Sequence, residues 1–205
     1  GNLGSKENIA IEKSNIIEGM SSSGVVLLPR DSDYFELLQK KVSGKKLRYI
    51  TFGHSNKSDI QITEISRVKD RILLKFRVFG EIFQTSSDIQ NISILNNYLP
   101  VLGIANILNY DLNEILKNIE NSRVHESRWQ EFDFEFDGGQ IKLIDDSYNA
   151  SPTSMFEAIE SIDSYRGEQI FRKIIIIGDM LELGDLSEKY HSELVNRINR
   201  TNIDH

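Results

Sequence analysis

Four consecutive isoleucines, Ile174 to Ile177, run directly into Gly178 and Asp179. As a strand such a run has no polar face, so both sides must be covered, and the usual setting is a parallel sheet flanked by helices. The stretch upstream, LIDDSYNASPTSM (143–155), fits the same architecture. Leu143 and Ile144 approach as a buried strand, which stops on Asp145 and Asp146. Ser151 then suits a helix N-cap and Pro152 the first helical position, where a missing N–H costs nothing. Met155, Ile159 and Ile162 follow at helical spacing, and Ser187 can cap a last helix with Tyr190, Leu194, Val195 and Ile198 inward. Strand–helix–strand–helix is half of a doubly wound α/β domain, and too few strands follow before His205 to close one comfortably.

The chain ahead of this region reads differently. Ser5 can cap a helix running to about Met20. GVVLLP (24–29) and LRYITFG (47–53) are short strands around a helix over 31–42, capped by Asp31 or Ser32. Alternation in 59–65, 71–79 and 81–85 predicts antiparallel, partly exposed strands. From Asp88 to about Tyr110 the pattern is helical with interruptions at Pro100 and Gly103, and Asp111 caps a helix with Leu112, Ile115, Leu116 and Ile119 on one face. The polar stretch NSRVHESR (121–128) marks a boundary, giving domains of 1–122 and 123–205. Beyond it, Asp137-Gly138-Gly139 is a hairpin turn signal between two apolar strands.

Composition narrows the possible functions. The net charge of −7 argues against a broad nucleic-acid surface, and the basic cluster around Gly44 reads as a solvated loop. The absence of cysteine excludes disulfides, thiolate metal sites and cysteine nucleophiles, and suits a reducing cytoplasm. No apolar run approaches the roughly 20 residues of a membrane helix. No signal peptide opens the chain, and its start on GNLGSKEN without Met suggests an excised piece. Neither GxxxxGK[ST] nor GxGxxG occurs, and the four histidines lack metal-ligand spacing among themselves.

Three constellations could carry chemistry. Lys13 falls within the apolar series Ile9, Ile16, Ile17 and Met20 of the first helix. Its stem could simply cover apolar surface while the ammonium reaches water. Alternatively, desolvation could leave a neutral amine able to add carbon dioxide, converting a cation into an anionic oxygen ligand suited to Mg²⁺. The second constellation is a pair of strand ends, 145–151 and 178–184, which neighbouring parallel strands would bring to one sheet edge. Carboxylates there can accept ribose hydroxyls, and Asn149 can read a base edge with donor and acceptor together. Turn formation by the aspartates is the plain alternative. The third is Arg128 at the domain junction, able to clamp a phosphate bidentately or to sit in a surface ion pair. His191, close to the apolar stripe of the last helix, reads as a packed or half-exposed histidine.

LGSKENIAIEKSNIIEGM (3–20), LIDDSYNASPTSMFEAIESI (143–162) and IIIIGDMLELGDLSEKYHSELV (174–195) resemble the Mur ligases. The likeness runs through most of the chain, weakest between about 54 and 122. It differs in detail, with Pro29 where an Asn is usual, Gln90-Asn91 for His-Asn and Ser151 for a second Asn. The resemblance implies a partial P-loop-type central domain, its second half over 1–122, followed by the first part of a Rossmann-like C-terminal domain over 123–205. The phosphate loop and a metal-binding His would then lie upstream of Gly1. It implies ATP and Mg²⁺ as cofactors, with Lys13 as the carbamylated lysine that helps hold Mg²⁺. Arg128 would reach the ATP phosphates, with Asp146, Tyr148 and Asn149 lining the ribose and adenine. The implied reaction joins D-alanyl-D-alanine to UDP-N-acetylmuramoyl-tripeptide through an acyl phosphate, in cytoplasmic peptidoglycan precursor synthesis. The enzyme would be monomeric, and these 205 residues alone would be inactive. Another ATP-dependent amide ligase of the superfamily, or a non-catalytic nucleotide-binding or interaction module, are the competing expectations.

Overall fold

The computed structural model describes residues 5–69, 71–123, 126–165 and 172–204. Its contacts divide the chain into two compact units, Leu3–Arg123 and a second from Val124 to His205.

The first unit is built on a five-stranded mixed sheet in the order β1-β2-β3-β4-β5: Val25–Pro29, Arg48–Gly53, Ile60–Val68, Arg71–Val78 and Glu81–Ser87. β1, β2 and β3 pair in parallel, while β3, β4 and β5 form an antiparallel meander with an irregularity between Ile62 and Glu64. The expected antiparallel alternation is clear in β4, where Ile72, Leu74, Phe76 and Val78 are buried and the intervening residues are not. A β-strand turns successive side chains to opposite faces, so this pattern commits one face of the meander to the core.

Helices cover the sheet for reasons readable in their ends. The expected helix from Ser5 to Met20 is instead α1 (Lys6–Ser14) followed by a 3-10 segment, Asn15–Gly19. Ser5 caps it as expected, accepting from the Asn8 N–H at 3.0 Å. The break comes where the Ser14 hydroxyl donates to the Ile11 carbonyl at 2.6 Å, an i−3 bond that competes with the helical ladder. In α2 (Phe35–Gly44) neither Asp31 nor Ser32 is the N-cap; Tyr34 occupies that position without a side-chain bond. Asp31 instead accepts from the backbone N–H groups of His54 and Ser55, beyond the end of β2. Gly53, at φ +149°, lies so close to this carboxylate that a Cβ would collide with it. Ile17, Leu28, Phe35, Val42 and Leu47 form one buried cluster beneath these elements.

Pro100 and Gly103 do not interrupt their helix. The break falls at Asn97, between α3 (Ile92–Asn96) and α4 (Tyr98–Ile107). Pro100 is the third residue of α4, where the backbone N–H has no helical partner to lose. Gly103 is buried against the sheet: a Cβ there would meet Leu27 Cδ2 at 2.5 Å and Ile60 Cδ1 at 2.8 Å. Asp111 caps α5 (Leu112–Glu120) as expected, with Leu116 and Ile119 buried.

The second unit begins with an antiparallel hairpin, β6 (Gln130–Phe136) and β7 (Gly139–Asp145). Phe136 pairs with Gly139, leaving the two-residue loop Asp137-Gly138 at φ 49° and 73°, as a tight hairpin requires. α6 (Pro152–Ser164) starts on Ser151 with a reciprocal Ser151–Ser154 capping box and Pro152 in its first turn, and α7 (Ser187–Ile198) follows later. Ile159, Met180 and Leu194 make the buried cluster of this unit.

Two expectations fail here. β7 is not a buried strand, since Leu143 is exposed and Ile144 only half-buried. The four isoleucines form no strand either, and Ile176 is 96% exposed. An apolar run supplies side chains for burial, but a strand also needs neighbours for its N–H and C=O groups. Among the described residues no strand pairs with 174–177; the nearby Lys173 bonds instead with Asp204, its N–H to the carboxylate and its carbonyl from the Asp204 N–H. No helix among the described residues is long and apolar enough to cross a membrane.

Candidate functional site

The residues around Arg128 are organised by the end of β7. Asp145 Oδ2 accepts from the Ser127 hydroxyl at 3.0 Å, and its other oxygen accepts the Ser147 N–H and hydroxyl at 3.0 and 2.6 Å. Asp146 Oδ1 accepts the Trp129 N–H at 3.0 Å. The Tyr148 N–H donates to the Ser127 carbonyl at 2.9 Å. Consecutive carboxylates thus grip the residue before Arg128 and the residue after it. Both gripped residues have left-handed backbones, Ser127 at φ 55° and Trp129 at φ 55°. For non-glycine residues such conformations cost of order 1–3 kcal/mol each and persist only where surroundings enforce them. Trp129 is buried, anchoring this turn to the unit, while Arg128 itself is exposed. Its guanidinium lies over the Tyr148 ring, 4.2 Å from the centroid.

The two carboxyls are driven in opposite directions. The Ser147 hydroxyl, then the Ser147 N–H and the Ser127 hydroxyl, hold Asp145 below the ordinary carboxylate range. Protein packed around the Asp146 carboxyl pushes it up, against opposition from the Trp129 N–H and the Arg128 charge and with help from Asp145. Asp146 is nevertheless exposed as a residue, as are Tyr148 and Asn149. Asn149 Oδ1 accepts from the Ala150 N–H at 2.9 Å, and Ala150 packs on the cluster of Ile159, Met180 and Leu194.

Of the five residues singled out from sequence, the structure therefore brings Arg128, Asp146 and Tyr148 into one segment-to-segment contact, with Asn149 next along the same segment and bonded to Ala150. Ser127 and Trp129 belong to it as well and were not expected there, the triplet Ser-Arg-Trp preceding a strand being the available signal; Asp145, one of the carboxylates offered to ribose, is turned instead to Ser127 and Ser147. The second strand end, 178–184, reaches the same apolar cluster through Met180 and Leu183, not through a parallel pairing. His191 accepts the Met180 N–H on Nε2 at 3.2 Å and donates from Nδ1 to the Ser187 carbonyl at 2.8 Å, the half-exposed packing histidine expected.

Lys13 belongs to the other unit and is exposed. Ile9 and Ile16 beside it are exposed too, Ile16 at 76%, because the helix tightens after Ser14 and it is Ile17 and Met20 that pack inward. The apolar wall expected to strip water from its amine is not formed by the described residues. No three His, Asp or Glu side chains gather into a metal-binding group among the described residues.

Residues 1–137 match the model of the Mur ligase middle domain, and residues 128–205 match that of the Mur ligase glutamate ligase domain. The chain belongs to the Mur ligase family. The UDP-N-acetylmuramoyl-tripeptide–D-alanyl-D-alanine ligase of Bacillus subtilis is 32% identical over 203 residues, covering 93% of this chain and 39% of the relative. The enzyme of the same name from Rickettsia prowazekii is 26% identical over 192 residues, covering 93% of this chain and 41% of its own length. The chain thus spans about two fifths of the curated relatives it matches. Among solved Mur ligases, MurF from Acinetobacter baumannii superposes with a TM-score of 0.86 at 23% identity, over 100% of this chain and 43% of that one. MurF from Thermotoga maritima in complex with ADP gives 0.80 at 24% identity, over 97% and 43%. At these identities the structural likeness speaks for the fold, which is α/β in keeping with the sequence reading.

Proposed function

We propose that these residues serve an ATP-dependent ligase that joins D-alanyl-D-alanine to UDP-N-acetylmuramoyl-tripeptide in peptidoglycan precursor synthesis. The curated relatives bear that name, and the contact of Arg128 with the Asp146–Asn149 segment is the observation that carries the reading. In this reaction the tripeptide carboxylate attacks the γ-phosphorus of ATP, ADP leaves, and an acyl phosphate forms. The amine of D-alanyl-D-alanine then attacks the acyl carbon, expels phosphate and loses a proton as the amide forms.

Arg128 supplies fixed positive charge and planar donors toward the phosphates, which stabilise the charge spread over the transferring group. Asp146 accepts ribose hydroxyls, and Tyr148 and Asn149 offer a ring and an amide to the base. The domain assignment, 1–122 central and 123–205 C-terminal, is part of the same reading, as are a monomeric state and a cytoplasmic location. Mg²⁺ would neutralise phosphate charge, with Lys13 contributing as a carbamate. Among the described residues no group of three His, Asp or Glu side chains gathers to complete its coordination.

The complete protein, supplied with ATP, Mg²⁺ and UDP-N-acetylmuramoyl-tripeptide, should release phosphate in proportion to added D-alanyl-D-alanine. Release supported equally by single amino acids would favour another amide ligase of the superfamily. No release with any acceptor amine would leave only a binding module. The 205 residues alone contain no GxxxxGK[ST] loop and should not turn over ATP.

A further inference from the structure

We infer that Asp145 is a positioning residue for Arg128: acting through Ser127, it holds the left-handed turn that lays the guanidinium on the Tyr148 ring. This rests on the reading of Arg128 given above only for its functional consequence; the geometric part stands by itself.

The chain of contacts is short. A Ser at φ 55° has an unfavourable backbone and will relax unless something holds it. Two bonds from one loop hold Ser127, its hydroxyl to Asp145 Oδ2 and its carbonyl from the Tyr148 N–H. Asp145 is itself fixed by the Ser147 hydroxyl and N–H, so it cannot follow Ser127 if the turn relaxes. Tyr148 is both a clamp on Ser127 and the surface beneath Arg128, so the turn and the stacking geometry are set by one element. Asp146 repeats the arrangement from the other side through Trp129. An exposed arginine has many rotamers, and a platform with a fixed turn on either side selects among them before any phosphate arrives.

The test compares Asp145→Ala, Asp145→Asn and Ser127→Ala with the parent chain. In the parent, the Arg128 side-chain protons should be displaced upfield by the Tyr148 ring in NMR spectra. Asp145→Ala and Ser127→Ala should lose most of that displacement, while Asp145→Asn, which keeps an acceptor oxygen, should retain most of it. Ser127→Ala leaves the Asp145–Ser147 contacts untouched and decides the matter if Asp145→Ala fails to fold. In the complete protein, kcat/KM for ATP should fall about tenfold in Asp145→Ala, the size expected from losing one charged hydrogen bond, and largely recover in Asp145→Asn. An upfield displacement that survives both alanine variants overturns the positioning role. If the displacement is lost but Arg128→Ala leaves kcat/KM unchanged, the positioning stands and it is the phosphate role of Arg128 that fails.

Discussion

In the Leu3–Arg123 unit, Phe76, Leu74, Leu95, Leu99 and Leu102 are enclosed between sheet and helices, whereas in the unit from Val124 the hairpin aromatics Phe132, Phe134 and Phe136 stand exposed. Both units contain an amphipathic helix, α5 in the first and α6 in the second, and paired strands, so secondary structure does not separate them. What separates them is how much apolar area is removed from water, the principal favourable term in folding. Only Trp129 and the cluster of Ile159, Met180 and Leu194 are buried apolar residues among those described in the second unit, and there the order of the candidate site is carried mainly by polar contacts to Asp145 and Asp146. A region can therefore be locally well determined without a large core, provided its hydrogen bonds converge on a few fixed acceptors.

The largest test of this contrast is a pair of phenylalanine truncations. Phe76→Ala should lower the stability of the first unit by about 3–5 kcal/mol, read as a lower urea midpoint by circular dichroism. Phe134→Ala should cost less than about 1 kcal/mol by the fluorescence of Trp129, the single tryptophan. Equal losses would erase the distinction. A smaller effect comes from glycines. Gly103→Val should cost about 1–3 kcal/mol by forcing Leu27 and Ile60 aside. Gly178→Ala, with nothing within 4 Å, should change stability by less than about 0.5 kcal/mol, and a large loss there would reveal packing around Gly178 that the contrast denies.

The smallest effect concerns the two aspartates. As pH falls, Asp146 should take up its proton before Asp145, an order readable from side-chain carboxyl carbon shifts. The consequences for stability have opposite signs. Asp145, held low, contributes stabilisation above the ordinary carboxylate pKa that is lost as pH falls through its depressed value. Asp146, held high, carries a penalty for its charge above its raised pKa, and that penalty is relieved as pH falls through it. Titration in the reverse order would mean that the Ser147 and Ser127 bonds to Asp145 are not maintained in solution.

Much of the fold was legible because it was encoded locally. Ser5, Asp111 and Ser151 cap helices, Asp137-Gly138 turns a hairpin, and β4 alternates. Features that depended on distant partners were not legible. The isoleucine run needed a neighbouring strand, Asp31 was drawn away from α2 by two N–H groups more than twenty residues on, and Lys13 needed an apolar wall. At the candidate site the sequence pointed to Arg128, Asp146, Tyr148 and Asn149. It could not reveal that Asp145 reaches back across the hairpin to Ser127, because the hairpin's own pairing creates that proximity.

The meeting of Asp31 and Gly53 limits how this chain could drift in sequence. A side chain at 53 would still carry the strain of φ +149° after the carboxylate had gone, and removing the carboxylate takes from His54 and Ser55 the acceptor they share. Changing one position does not release the other, so both should stay as they are.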